Sequence, residues 1–405
     1  VSAALPEPEE RLEPPGPGSV WAAPGMLALA VLAFCGFSGY AALLPVAPLW
    51  AVRGGADSGG AGMVNFVLLG TTVATQFAVP WAIGRWGWAW VLSLGMVFLG
   101  VPSLLHIATD ELAALLVLSA VRGVGFGVLT VAANAAAVLL VEPARRGAAV
   151  GAYSAALSLP LVLVMPIGGW VAEDVAFWPV FLVAALPLAG IPACVAVARH
   201  LPVRATHDAG HPEVEEDAAT SRTYLALLRP TLILLGITFA GGSIITFAPQ
   251  MVSVPWLSAA GLFAVGLGAA VMRWQVGAVS DRIGTDRLVP VAVVVTVAVL
   301  AGLAWLVRSP VGTEQALAWI TVCAFVGLCY GTLQTLTMLQ AFAAAGPRRV
   351  GTASAVWNAG FDTGTATGSL LVGWVAVGAG FGAGMALTAV LCLLTLPLAL
   401  IHARR

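Results

Sequence analysis

Residues 277–287 read GAVSDRIGTDR, four charges in eleven positions. Residues 80–90 read PWAIGRWGWAW, the same outline with one charge left. Pro80, Gly84, Arg85 and Gly87 stand where the later stretch has Gly277, Asp281, Arg282 and Gly284, a constant 197 residues on. A polar hairpin found twice raises the question of whether the whole chain is doubled.

Composition decides what kind of chain this is. Hydrophobic residues make up 60%, charged residues 9%, and the mean hydropathy is +0.97. A water-soluble chain of 405 residues needs far more charge to cover its surface, so a polytopic membrane protein is indicated. One crossing takes about 20 apolar residues. Twelve segments qualify, at roughly 24–50, 62–84, 88–107, 112–141, 148–171, 178–198, 231–252, 257–280, 288–307, 315–342, 350–376 and 383–402. The polar interval 199–230 divides them six and six. This predicts an N-terminal bundle over 20–198, a linker over 199–230 and a C-terminal bundle over 231–405. The Pro- and Glu-rich stretch 1–19 reads as a disordered cytoplasmic tail, without the basic start of a secretory signal.

Other landmarks recur at a similar offset. Pro48 matches Pro249, RGVGFG at 122–127 matches VGLCYG at 326–331, Arg145-Arg146 matches Arg348-Arg349, and Gly169-Trp170 matches Gly373-Trp374. An offset near 200 throughout means two six-helix halves in parallel order. The hairpin occurs twice because the fold does.

All 18 basic residues are arginines. With the N-terminus inside, the cytoplasmic loops and tails carry fourteen of them, and the outer face carries Arg53 and Arg308. That bias places both termini in the cytoplasm. Arg122 and Arg273 fall within spans. Arg273 stands about one turn from the hairpin and reads as a structural, snorkelling residue.

Of the 19 acids, only Asp362 sits deep in a span. An ionisable group there costs several kcal/mol unless paired or hydrated, which marks it as functional. On its helix Asn358, Asp362, Thr365 and Ser369 fall within about 60° of one another. Gly360, Gly364 and Gly368 lie on another side, at a spacing suited to close helix contact. Asp362 reads as a proton-titrating acid or as the ion partner of Arg122, against a static structural pair. The hairpin has its own physical reading. An Asp-Arg turn at a helix end can pair with a neighbouring helix N-terminus, whose dipole favours a carboxylate. Such a latch would be carried by Asp281, with Gly277, Arg282, Gly284 and Arg85 around the two turns, because the first copy has Gly84 in place of the acid. The plainer alternative makes both hairpins positive-inside anchors.

Two six-helix halves, a cytoplasmic central loop and G-x-x-x-D-R-x-G after the eighth span resemble the major facilitator superfamily over essentially the whole chain. Arg122-Gly123 with the glycines after it, and PARRGAAVG at 143–151, support the resemblance. Within that superfamily the chain is most similar to bacterial drug or metabolite efflux members. Pro166-Ile167-Gly168-Gly169 resembles the end of their antiporter signature, with Met165 where the signature has Gly. The resemblance implies an all-α integral membrane fold of 12 transmembrane helices in two pseudo-symmetric six-helix bundles. It also implies alternating access, no enzymatic activity, no cofactor and a monomer. Arg122 inherits a role in proton coupling beside Asp362. The cavity-lining set comprises Tyr40, Asn134, Tyr330, Gln334 and Thr337, with Trp357 and Asn358 on the eleventh span; interhelical bonding is the alternative for each.

The function expected is proton-coupled efflux of a small amphipathic drug or metabolite across the cytoplasmic membrane. Its partners are then the small molecule, protons and the bilayer, with no nucleic acid. Alternatives are proton symport of a nutrient or small organic acid drawn to Arg122, and a non-transporting membrane sensor, for which the central loop is short. The absence of a Walker motif argues against ATP-driven pumping. Gly123, Gly125 and Gly127 lie in a long apolar helix with no strand before them, so they do not make a dinucleotide site. His200, His207 and His211 share a solvated loop, and the five cysteines read as small core residues rather than metal ligands. TSRTYLALLRP at 220–230 reads as a short amphipathic helix on the inner membrane surface.

Overall fold

Apolar runs of this length satisfy their backbone in lipid by coiling, because hydrocarbon offers no partner to N–H or C=O groups. The computed structural model describes residues 20–142, 145–201, 217–346 and 349–401, which are helical nearly throughout. Ten helices come first: α1 Met26–Arg53, α2 Ser58–Trp86, α3 Trp88–Ala108, α4 Leu112–Leu139, α5 Arg146–Asp174, α6 Phe177–Ala198, α7 Asp217–Met251, α8 Pro255–Ile283, α9 Thr285–Leu306 and α10 Ala316–Ala345. The last apolar run, Gly351–Leu400, breaks at Gly380, where φ is 79°. Glycine takes that conformation without the cost other residues meet, so α11 ends before it and α12 follows. Eleven apolar runs among the described residues thus make twelve crossings.

Successive helices reverse direction. One face carries Gly25, Gly87, His200, Gly284 and Gly346, next to most of the described arginines. The opposite, arginine-poor face carries the turns at 54–57, 109–111, 252–254 and 307–312. There Trp50 Nε1 donates to the Thr109 carbonyl at 2.8 Å, tying α1 to the α3–α4 turn.

Small residues let the helices close on one another, the usual solution where lipid removes the hydrophobic drive. Gly123 and Gly127 of α4 face α2, and Thr72 Oγ1 donates to the Gly123 carbonyl at 3.1 Å. The Gly360, Gly364 and Gly368 edge of α11 meets Thr231, Thr238 and Phe239 of α7, as its spacing predicts.

Three local expectations change. The segment 220–230 is not a separate surface helix: it continues without a break into α7, because Pro230 falls inside a run long enough to bridge it. Asp281 and Arg282 do not form the turn. They occupy the last turn of α8, and Gly284, at φ 92°, makes the reversal into α9. Arg273 is ten residues from that helix end, about 15 Å by helical rise, too deep for the one-turn snorkel. The tail 1–19, His207 and His211 lie outside the described residues.

Candidate functional site

The two six-helix halves meet along α2 with α11, α5 with α8, and α1 with α7. Four described hydrogen bonds cross between them. Ser58 Oγ donates to Gln250 Oε1 at 3.3 Å, Asn65 Nδ2 to Thr246 Oγ1 at 2.8 Å, and Ser369 Oγ to the Gly62 carbonyl at 3.3 Å. The deepest is Gln76 Nε2 to Asp362 Oδ2, at 2.8 Å. The first three lie in the arginine-poor half of the bundle and the fourth near mid-depth. The structure is therefore closed at the arginine-poor face, and no described hydrogen bond joins the halves nearer the other face.

Asp362 is buried, at 7% exposure. Of its polar stripe, Ser369 holds α2, while Asn358 Nδ2 turns back to the Ser354 carbonyl at 2.8 Å within its own helix. The Tyr40 hydroxyl lies within electrostatic reach of Asp362, Arg122 and Tyr330. Its ring stacks on Phe126 with centroids 3.6 Å apart. Tyr330 lies beside the side chains of Thr365 and Gln334, and Thr365 Oγ1 donates to the Phe361 carbonyl at 2.9 Å. Phe361 lies edge-on to Tyr330 and stacked with Trp357, so an aromatic wall flanks the acid. Tyr40 and Tyr330 thus lie near Asp362, with Gln334 beside Tyr330 and Trp357 joined to the group through Phe361. Thr337 does not line it: fully enclosed, it accepts from Trp357 Nε1 at 3.1 Å and joins α10 to α11. Asn134 is exposed and makes no described contact with the group.

Arg122 does not pair with Asp362. Its guanidinium is buried at 1% exposure and Nη2 donates to the Gly39 carbonyl of α1 at 3.2 Å. The one ion pair among the described residues is Arg229 with Asp286, at 3.4 Å. Gln340 Nε2 also donates to Asp286, at 2.9 Å, and Arg229 Nε to the Leu398 carbonyl, at 3.0 Å. This clamp ties α7, α9, α10 and α12 near the arginine-rich face. Asp281 is exposed and has no described partner.

The sequence profile of the Major Facilitator Superfamily matches residues 29–361. The chain belongs to that superfamily. No curated protein sequence matches it. Among solved structures, a bacterial homologue of the human lysosomal transporter Spinster, inward-facing and unoccupied, is similar at TM-score 0.73 and 15% identity, covering 93% of this chain and 95% of that one. The nucleoside transporter NupG is similar at 0.71 and 13%, covering 92% and 98%. A peptide transporter POT variant in complex with sulfate is similar at 0.69 and 16%, covering 93% and 94%. The chain is thus a multi-pass secondary transporter of this superfamily, not an enzyme.

Sequence reasoning missed two residues that lie beside this group. Gln76 sits at the bend of α2 and gave no charge signal. Arg273 is exposed although far from the helix end, and lies within electrostatic reach of Tyr330. The close contacts Val265–Gly327 and Ala269–Gly331 set the register of α8 on α10, and one turn further Arg273 comes level with Gln334 and Thr335. The signal that finds it is the repeat: Gln76 and Arg273 are 197 residues apart, the hairpin offset.

Proposed function

We propose that the transporter exchanges protons for a small amphipathic molecule, a drug or metabolite, with Asp362 as the proton carrier and the arginine-rich face in the cytoplasm. One observation carries this reading. The acid deepest in the bilayer holds its described hydrogen bond across the two halves, on Gln76. An ionised carboxylate accepts a charge-assisted bond roughly twice as strong as a neutral one. The empty, ionised carrier is therefore held in its present state. Either a proton or a donor group on the substrate frees Asp362 from Gln76 and lets the arginine-poor face open. Competition of proton and substrate for one carboxylate is the logic of exchange, so acid outside drives substrate out.

Arg273 supports a second reading. The organic acid expected to be drawn to Arg122 cannot reach that enclosed guanidinium, whereas Arg273 is exposed beside Tyr330. On this reading a substrate carboxylate or phosphate docks on Arg273 and enters together with a proton. The structural neighbours include a nucleoside and a peptide transporter, so the fold alone does not choose between the two.

Proteoliposomes with an imposed pH gradient test both. Under exchange, a cationic amphipath leaves the acid-free compartment against its gradient, and Asp362→Asn reduces that uphill flux to background while protein folding is retained. Gradient-driven uptake of an organic anion that is lost in Arg273→Gln selects the second reading. Unchanged uphill flux in Asp362→Asn overturns Asp362 as carrier.

A further inference from the structure

The arginine-poor face holds two exceptions to the arginine bias, and their surroundings differ. Arg53 is accounted for within the protein: its guanidinium lies 5.3 Å from the Trp50 ring centroid and 5.2 Å from that of Phe177, a cation–π arrangement. Arg308 is exposed and has no described partner. Its stem is nonetheless placed, because a Cβ on Gly382 would come within 2.9 Å of Arg308 Cγ. The glycine lets α12 begin directly beneath the arginine.

Arg308 also stands at the end of a groove between α9 and α12, about 380 Å³, lined by Ala301, Trp305, Ala386, Val390 and Leu393 among others. From Arg308 to its deepest residue on α9, Val297, the groove spans eleven residues. That is about 16 Å of helix, close to one leaflet of a hydrocarbon core about 30 Å thick. Trp305 is 67% exposed one turn from Arg308, at the depth where indole rings settle in the headgroup region. We propose that this groove binds one anionic glycerophospholipid of the arginine-poor leaflet, its phosphate on Arg308 and one acyl chain along Ala301 and Ala386.

Charge complementarity and leaflet depth together argue for this occupant. A free phosphate has no use for the apolar length, and a zwitterionic lipid brings its own cation beside the phosphate, which weakens the match to the guanidinium. The test is native mass spectrometry of the delipidated, full-length transporter, titrated with phosphatidylglycerol or phosphatidylcholine. The expected result is one phosphatidylglycerol retained in preference to phosphatidylcholine and not displaced by inorganic phosphate. One arginine near a charged headgroup corresponds to about fivefold in affinity, so Arg308→Gln should weaken retention by that factor. Ala386→Phe, which fills the groove from an exposed position, should weaken it without lowering the melting temperature, and Arg53→Gln should leave it unchanged. Equal retention of the two lipids overturns the proposal. So does an equal loss in Arg53→Gln, or undiminished binding in both Arg308→Gln and Ala386→Phe.

Discussion

The seam between α2 and α11 and the seam between α8 and α5 are equivalents under the repeat, yet they are built differently. At mid-depth the first joins Gln76 to Asp362 at 2.8 Å. In the second, the position equivalent to Gln76 is Arg273, exposed, and the close contact is apolar and about 10 Å of helix nearer the arginine-poor face, Gly266 facing Val162 and Leu161. At the arginine-rich end the pattern inverts. The first seam has Gly84, and the second has Asp281. Each half-to-half contact therefore keeps one carboxylate at a different depth. The difference assigns different work to the two seams: a buried acid can hold a proton out of water, whereas an acid at a helix end can act only as a contact between surfaces.

The largest effect expected from this comparison is at Gln76. Four hydrogen bonds between the halves, at about 0.6 kcal/mol each in a membrane, total roughly 2–3 kcal/mol. A bond to a charged group counts for more, about 1.5–3 kcal/mol. Gln76→Leu removes the one that holds the empty ionised carrier, so that carrier can cross without a proton or substrate. The outcome expected is leak: initial flux continues, but the steady-state substrate gradient falls about tenfold or more. A wild-type gradient in this variant would break the division of work between the seams.

Next comes Asp281. Contacts along the second seam pair Gly266 with Val162 and Gly169 with Ser258. Extending that antiparallel register brings Asp281 opposite Arg146 and the N-terminus of α5 once the arginine-rich face closes. A carboxylate at a helix N-terminus contributes about 0.3–1 kcal/mol. Asp281→Asn should therefore shift the population away from the state closed at that face by up to about fivefold. Spin labels at Ser154 and Gln275, both exposed, would report this as a larger long-distance fraction. An unchanged distance distribution leaves the hairpin as an anchor only.

Much of this architecture is legible in the sequence because the bilayer imposes length and charge bias on every crossing. The repeat, the twelve spans and the depth of Asp362 follow from those constraints alone. Which way a residue points within a span is a weaker signal. In a helix apolar all round, such as α8, no polar stripe marks the cavity side, so Arg273 reads as a snorkelling residue. Arg122 misleads for a related reason. A buried guanidinium suggests a carboxylate partner, whereas here a carbonyl on α1 serves. Asp286 is in plain view at the end of the hairpin, but its partners Arg229 and Gln340 are 57 and 54 residues away in the chain. Nothing local announces the clamp.

The smallest expected effect sharpens the comparison most, because it adds what one seam lacks. Gly84 is exposed, and a Cβ built there meets nothing within 4 Å. An acid at this position therefore fits without repacking. Contacts along the first seam pair Gly62 with Ser369 and Ser58 with Gly373. The same register carries position 84 to the start of α11, beside Arg349. Gly84→Asp should then give the first seam its own end contact and favour the state closed at the arginine-rich face by about twofold, the lower end of the helix-terminus range. Opening would slow by a similar factor, and added salt would erase the gain because the pair is solvent-exposed. If Gly84→Asp instead restores activity lost in Asp281→Asn, the two hairpins are interchangeable and only the depth of Asp362 distinguishes the seams. If it does nothing in either background, the end contacts are not where the halves hold each other.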